Sequence, residues 1–169
     1  GKKTGFEGKV YSEFEKEFPQ KKILKKKAIY TFSKEEQSNF IKGAKIAYET
    51  IITDFSDSDN KLTNCKPLLG EKIYNQFKEA LAERIKNKHY AEITFIGINS
   101  ALIKEHKKVE NIIEATVEFE SEIITCIRDE SKKIISGDAE KIKKVYDTWK
   151  FSKDIQSLNP NWLLIETIS

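Results

Sequence analysis

The spacing of apolar residues changes once along this 169-residue chain, near residue 90. Before that point apolar residues recur at helical intervals, and after it they recur at every second position. Helices followed by strands are typical of an α+β domain in which helices cover one face of an antiparallel sheet. We therefore expect a cone around a pocket, with function in the pocket, at its rim or in the segment that precedes the domain.

The strongest helix signal begins at Ser33. Ser33 and Glu36 have the spacing of a capping box, in which each side chain binds the other residue's backbone amide. An apolar stripe of about six turns follows. It consists of Phe40, Ala44, Ala47, Tyr48, Ile51, Ile52 and Phe55. A short helix over Asp59–Cys65 and a third over residues 70–87 complete the expected set of three N-terminal helices.

Four antiparallel strands are expected after residue 90. The first covers Tyr90–Lys104, with Gly97 marking a bulge. The second runs from Ile113 to about Arg128 and has the clearest two-residue alternation in the chain. The third carries Val145, Asp147, Trp149 and Phe151 on one face, and the last covers Trp162–Ile168. Turns are predicted over His106–Asn111, Ser136–Asp138 and Leu158–Asn161.

The charge of the chain is unevenly placed. The net charge is +3, but residues 1–32 hold nine Lys and four Glu, so residues 33–169 carry −2. We therefore divide the chain into a basic, partly flexible arm over residues 1–32 and a domain over residues 33–169. The dense lysine run of the arm consists of Lys21, Lys22, Lys25, Lys26 and Lys27. Such an arm favours an anionic partner, although a solvated linker has the same composition.

The sequence of the domain resembles a known family through an ordered set of short motifs. These motifs are Phe40-Ile41-Lys42-Gly43-Ala44-Lys45-x-Ala47-Tyr48-Glu49-x-Ile51, Pro67-Leu68-Leu69, Thr125-x-x-Arg128-Asp129, Gly137-Asp138, Trp149-x-Phe151-x-x-Asp154 and Asn159-Pro160-Asn161-Trp162. Taken in order over about residues 34–169, they resemble the Tim44-like domain. The opening Gly-Lys-Lys-Thr-Gly is similar to the stretch that follows an N-terminal membrane helix in bacterial members.

The resemblance implies a fold and a broad role. It implies an NTF2-like or cystatin-like cone, and a non-catalytic scaffold related to protein translocation at the inner membrane. It implies two partners, an anionic cardiolipin-like lipid and an unidentified membrane or translocation protein. The high usage of Lys, Ile and Asn suggests a bacterium with an AT-rich genome. Because the chain lacks a starting Met, we expect a peripheral or N-terminally anchored protein whose anchor precedes this sequence.

The aromatic residues of the domain have two interpretations. Large rings at apolar positions usually form core, but in a cone some of them line a cavity. The candidate pocket-lining residues are Tyr48, Phe55, Phe77, Phe95, Phe119, Trp149 and Phe151. Such a cavity would be mostly apolar and would suit an acyl chain or an apolar side chain of a partner.

The sequence contains little that predicts catalysis. Asp147 shares a face with Trp149 and Phe151 and is the candidate base for a small pocket enzyme, although a structural role is the simpler interpretation. Arg128 and Asp129 are interpreted as a local ion pair. Cys65 and Cys126 have no metal-like spacing and are expected to be small buried residues, so neither a metal nor a cofactor is expected.

Three functions therefore remain open. A lipid-contacting arm, made by the five lysines, fits a polybasic segment next to a membrane, at about 1 kcal/mol per lysine. A ribosome- or RNA-docking module is the alternative, but the run lacks Arg, which makes nucleic acid the weaker expectation. A small pocket enzyme centred on Asp147 is the third.

Overall fold

The computed structural model describes residues 32–56 and 60–169. The predicted arm lies outside the described residues, except for Phe32. The same holds for its five-lysine run. Phe32 is 4% exposed and packs in the core of the domain.

The first helix, α1, spans Lys34–Asp54 and begins with the predicted capping box. The Glu36 amide donates to Ser33 Oγ at 3.1 Å, and the Ser33 amide donates to Glu36 Oε1 at 2.8 Å. The apolar stripe of α1 is buried against the sheet, with Tyr48 and Ile51 completely enclosed. This helix was therefore predicted correctly at both ends and on its buried face.

Residues 60–65 form no helix, so the predicted short helix ending at Cys65 is not found there, and the described residues contain two α-helices rather than the expected three. Asn60 and Leu62 have φ angles of 56° and 54°, in the left-handed region that an α-helix excludes. The connection is held by Asp54 instead, whose carboxylate accepts from the Cys65 amide at 2.7 Å and from Asn64 Nδ2 at 3.0 Å. A single 3₁₀ turn, Lys66–Leu68, precedes the second helix, α2, which spans Glu71–Lys86.

The sheet has five antiparallel strands rather than four. They are β1 (Tyr90–Val109), β2 (Ile112–Arg128), β3 (Ile134–Gly137), β4 (Lys143–Asp154) and β5 (Leu163–Thr167). The order across the sheet is β1-β2-β4-β5, and β3 pairs with the end of β2. The α+β class with helices before the sheet is confirmed.

Two of the predicted turns are shorter than expected, because strand extends into them. The first strand continues five residues beyond Lys104, so that only Glu110 and Asn111 separate β1 from β2. The predicted turn at Ser136–Asp138 contains the end of β3, where Gly137 pairs with Cys126. Gly137 has a φ of 79°, and a Cβ there would collide with the Thr125 carbonyl oxygen, so glycine is required for this pairing.

β1 is irregular where the sequence predicted a bulge. Its register against β2 shifts at three places, between Phe95 and Gly97, between Ile98 and Ser100, and between Ile103 and Glu105. Each extra residue bends the strand and increases its twist. The Gly97 bulge is therefore confirmed as one of three.

Candidate functional site

An open groove of about 650 Å³ lies between α1 and the β4–β5 end of the sheet. Its α1 wall is formed by Glu36, Asn39, Phe40, Gly43, Ala44, Ile46 and Ala47. Its other walls are formed by Phe32, Leu68, Ile113, Phe151, Lys153, Ile155, Pro160, Asn161 and Trp162. We call this the α1 groove. Its size falls within the range of ligand pockets, and its lining is mainly apolar with a few polar groups at the rim.

Small residues on α1 create the space. Gly43 lies on the exposed side of the helix, and a Cβ built there meets no atom within 4 Å. Ala44 and Ala47 are buried behind it, and the exposed Ile46 forms part of the rim. A helix with larger residues at these positions would fill the groove.

One end of the groove is built from packed aromatic rings. Phe40 and Trp162 meet edge to face with centroids 4.6 Å apart, and Phe32 contacts Trp162 at 5.9 Å. On its other side Phe32 stacks on His106 at 4.7 Å and 14°. His106 therefore has an aromatic neighbour that the sequence did not indicate. Edge-to-face packing of this kind fixes the position of each ring.

Most of the predicted pocket residues lie away from the α1 groove. Of the seven, Phe151 borders the α1 groove. Tyr48 stacks on Phe119 at 4.3 Å and contacts Trp149 at 4.7 Å, in the centre of the core. Phe95 is partly buried and contacts Tyr48 at 6.2 Å.

The remaining two rings form a separate pair at the other end of α1. Phe55 and Phe77 meet edge to face at 5.0 Å, and so join α1 to α2. Six of the seven rings therefore lie away from the lining of the α1 groove, five of them buried and Phe95 partly buried against the core.

A polar cluster is enclosed within the aromatic core. The Tyr48 hydroxyl donates to Asp147 Oδ2 at 2.7 Å and lies 2.9 Å from Ser121 Oγ. Burial and the adjacent Asp147 carboxylate raise the pKa of Tyr48 well above its usual value, so the hydroxyl keeps its proton and donates. Asp147 faces inward with Trp149 and Phe151 as predicted, but it does not line the α1 groove.

The predicted Arg128–Asp129 ion pair is replaced by two other interactions. Arg128 Nε contacts Glu92 Oε2 on β1 at 3.1 Å. The two residues are diagonal neighbours on one face of the β1–β2 pair, because Arg128 is the register partner of Tyr90 and Glu92 that of Cys126. Asp129 Oδ1 accepts from the backbone amides of Lys133 and Ser131 at 3.0 and 2.8 Å. These amides, Lys133 first, hold the pKa of the Asp129 carboxyl below its usual value.

Metal ligands, cysteines and membrane-spanning helices were each considered among the described residues. No group of three His, Cys, Asp or Glu side chains within residues 32–56 and 60–169 is arranged to hold a metal ion. Cys65 and Cys126 are buried free thiols, as predicted. Over the same part of the chain, neither helix combines the length and the hydropathy needed to cross a membrane.

Sequence reasoning missed three of the groove residues that matter most. Phe40 was recognised as part of the apolar stripe of α1 and of a family motif, and Phe32 was assigned to the arm. Trp162 was recognised as part of the Asn159–Trp162 motif and as the start of the last strand. The Asn159–Trp162 motif could have indicated that Trp162 lines the groove. An aromatic residue between a turn and the start of a strand is well placed to border a groove at the edge of a sheet.

Two solved structures align with this chain. The intermembrane space region of the chloroplast protein ARC6 aligns with a TM-score of 0.50 and 11% identity, covering 75% of this chain and 93% of that one. A periplasmic fragment of TraM aligns with a TM-score of 0.47 and 9% identity, covering 82% of this chain and 97% of that one. At these identities the first alignment shows the fold alone.

No curated protein is significantly similar to the chain in sequence. A sequence model of the Tim44-like domain matches residues 30–169, which is most of the chain and all of its described elements. The match begins just before Phe32, which is the first described residue and packs in the core. The chain therefore belongs to the Tim44-like domain family.

Proposed function

We propose that this protein is a non-catalytic, membrane-associated binding domain whose α1 groove receives the apolar part of a lipid or of a protein partner. The α1 groove is the observation that carries the proposal. It is open to solvent, mainly apolar and bordered by few polar groups, which is the composition of sites that accept acyl chains or apolar side chains. As part of the proposal, we assign the fold to the NTF2-like or cystatin-like class.

The position of Asp147 supports a binding role over catalysis. A general base must reach the proton that it abstracts from a bound substrate. Asp147 is 1% exposed, hydrogen-bonded to Tyr48 and separated from the α1 groove by the aromatic core. A ligand in the groove would therefore not meet this carboxylate.

The arm supplies the proposed contact with the membrane. Its five lysines, Lys21, Lys22, Lys25, Lys26 and Lys27, would contribute about 1 kcal/mol each next to an anionic leaflet, and salt would screen them. Phe32 fixes the end of the arm beside the α1 groove. Membership of the Tim44-like family favours a scaffold role in protein translocation at a bacterial inner membrane.

Groove binding can be tested with a dansylated fatty acid and a matched pair of variants. Gly43→Phe places a ring in the groove without a backbone clash, because a Cβ at Gly43 meets no atom within 4 Å. Lys45→Phe adds the same ring on the exposed side of α1 outside the groove lining. We expect Gly43→Phe to weaken binding at least tenfold and Lys45→Phe to leave it unchanged. Equal binding by both variants would contradict a groove site.

Membrane association is tested by vesicle flotation. The full chain should float with vesicles containing cardiolipin at low salt and less at high salt. Replacing the five lysines of the run by Gln should abolish flotation. Failure of the unmodified chain to float with any anionic vesicle would overturn the membrane proposal, and tighter salt-sensitive binding to RNA would favour the ribosome-docking alternative.

A further inference from the structure

Lys153 occupies a position on β4 where the pattern of the strand calls for a core residue. Every second residue from Val145 to Phe151 faces inward and is buried. Lys153 is the next member of this series, is the register partner of Ile113 on β2, and lines the α1 groove. Because it is partly buried, its four-carbon stem lies against apolar surface while its ammonium stays at the rim.

The positive charge of Lys153 has no ionic partner among residues 32–56 and 60–169. Lys150, on the opposite face of β4, lies 3.5 Å from Glu166 and 4.0 Å from Glu114. No carboxylate of the described residues comes within 4.0 Å of the Lys153 ammonium. Charged groups at partly apolar sites form strong hydrogen bonds with groups of opposite charge, so an anion at this rim would be stabilised.

Glu36 is the other charged residue that the described part of the chain contributes to the groove lining. Its Oε1 accepts from the Ser33 amide at 2.8 Å, at the N-terminus of α1. The dipole of the helix favours a negative charge at this end. Glu36 is therefore compensated by its own helix, whereas the charge of Lys153 is not compensated by its own strand. Charge complementarity thus favours an anionic group next to Lys153.

The polar groups of the rim suit a carboxylate in particular. Asn39 on α1 and Asn161, before β5, line the groove together with Lys153. Their side-chain amides and the ammonium are all hydrogen-bond donors, and an ionised carboxylate has two oxygens that only accept. One ammonium also matches one negative charge, which is the charge of a carboxylate.

The volume of the groove limits the apolar part of a ligand. The groove measures about 650 Å³. A methylene group takes up about as much space as a water molecule in the liquid, about 30 Å³. An acyl chain of sixteen carbons therefore needs about 480 Å³, and the two chains of a phospholipid need about 960 Å³. The groove has room for one long chain and not for two.

We propose that the α1 groove binds a long-chain fatty acid, with the acyl chain along the apolar lining and the carboxylate on Lys153. The inference rests on the proposed groove function and names the class of ligand and its head-group contact. Lys153 is then a specificity-determining residue, because it distinguishes a fatty acid from a neutral chain of the same length.

The test compares dodecanoate with dodecanol, two ligands of equal chain length that differ in the charge of the head group. Binding to the full chain is followed by the emission of Trp162, which lines the groove. Lys153→Met keeps an apolar stem and removes the charge, and Lys153→Arg retains the charge. Lys42→Met is the matched control, because Lys42 is exposed on α1 and lies outside the groove lining.

We expect the unmodified chain to bind dodecanoate about tenfold more tightly than dodecanol, as one charge-assisted hydrogen bond provides. Lys153→Met should remove this preference and leave the affinity for dodecanol unchanged. Lys153→Arg should keep most of the preference, and Lys42→Met should keep all of it. High salt should reduce the preference, because the rim is open to water.

Equal binding of the two ligands by the unmodified chain would overturn the inference, while the groove would stand as a binding site for apolar chains. If neither ligand binds, the inference and the proposed groove site both fail. An equal loss of both ligands in Lys153→Met would show that Lys153 only shapes the groove, and would overturn its role.

The size and the head group of the ligand are tested with lysophosphatidylglycerol and phosphatidylglycerol, which carry one and two chains on the same head group. Both should compete with dodecanoate more weakly than palmitate does. Stronger competition by phosphatidylglycerol would overturn the assignment of a single chain. Stronger competition by lysophosphatidylglycerol would overturn the assignment of a carboxylate.

Discussion

The hydroxyl of Tyr48 on α1 donates a 2.7 Å hydrogen bond to Asp147 on β4, inside a core where both side chains are at most 1% exposed. This bond ties the helix to the central strands at a point where apolar packing alone would allow sliding. Ser121 on β2 completes the cluster at 2.9 Å. The hydrogen-bonded cluster of Tyr48, Ser121 and Asp147 thus joins α1, β2 and β4.

Removing this hydroxyl should destabilise the fold. Tyr48→Phe keeps the ring and deletes the donor, which leaves a buried carboxylate with one hydrogen bond fewer. We expect a loss of about 2 kcal/mol in the free energy of unfolding, measured in urea. Tyr146→Phe on β4 is the matched control, because Tyr146 is 48% exposed, and it should change stability by less than about 0.5 kcal/mol. An equal effect of the two changes would show that the buried cluster contributes nothing specific.

Tyr48 should also make stability depend on alkaline pH. Its pKa is raised in the folded protein by burial and by Asp147, so the folded state holds a proton that the unfolded state releases above its usual pKa of 10.0. The contribution is fully present below pH 10 and is lost as pH rises further, at up to about 1.4 kcal/mol per pH unit. Urea unfolding between pH 9 and 11 should show a steeper decline for the unmodified chain than for Tyr48→Phe. Parallel curves would contradict this assignment.

The sequence predicted those features of the fold that depend on residues close together in the chain. The α1 helix was predicted because its signals are local: a capping box at Ser33 and Glu36, then one continuous stripe. The inward face of β4 was predicted because Asp147, Trp149 and Phe151 alternate with polar neighbours. Both patterns lie within one element and need no knowledge of its partner.

The features that the sequence did not predict depend on residues that are far apart in the chain. β3 pairs with β2 through residues that include Gly137 and Cys126, and the turn signal of Ser136 and Gly137 hid the strand preference of the two isoleucines before them. The α1 groove exists because Phe32, Phe40 and Trp162 converge from three separate parts of the chain. Sequence indicated that aromatic residues would fill an interior, but it did not distinguish those that fill it from those that border its opening.

Two glycines should respond to alanine in opposite directions. Gly43 lies within α1, and its added Cβ meets no atom within 4 Å, so Gly43→Ala should stabilise by about 1 kcal/mol through helix propensity. Gly137 has a φ of 79° and its added Cβ collides with the Thr125 carbonyl oxygen, so Gly137→Ala should destabilise by about 2 kcal/mol. Urea unfolding of the two variants measures whether the free energy of unfolding rises for Gly43→Ala and falls for Gly137→Ala. Destabilisation by Gly43→Ala would show that this glycine is needed for more than open space.

Phe32 should stabilise the aromatic end of the α1 groove. Its ring is 4% exposed and contacts both His106 and Trp162, so Phe32→Ala leaves a cavity at the end of the groove. We expect a loss of about 3 kcal/mol in unfolding free energy. The emission of Trp162 should also shift to the red, because its ring gains contact with water.

Phe32→Leu is the control for this change, since it retains an apolar side chain and should recover most of the stability. Trp149 is completely buried, so a Trp162→Phe background identifies which indole gives the emission shift. If Phe32→Ala lowers stability but leaves the Trp162 emission unchanged, Phe32 packs in the core without shielding Trp162 from water.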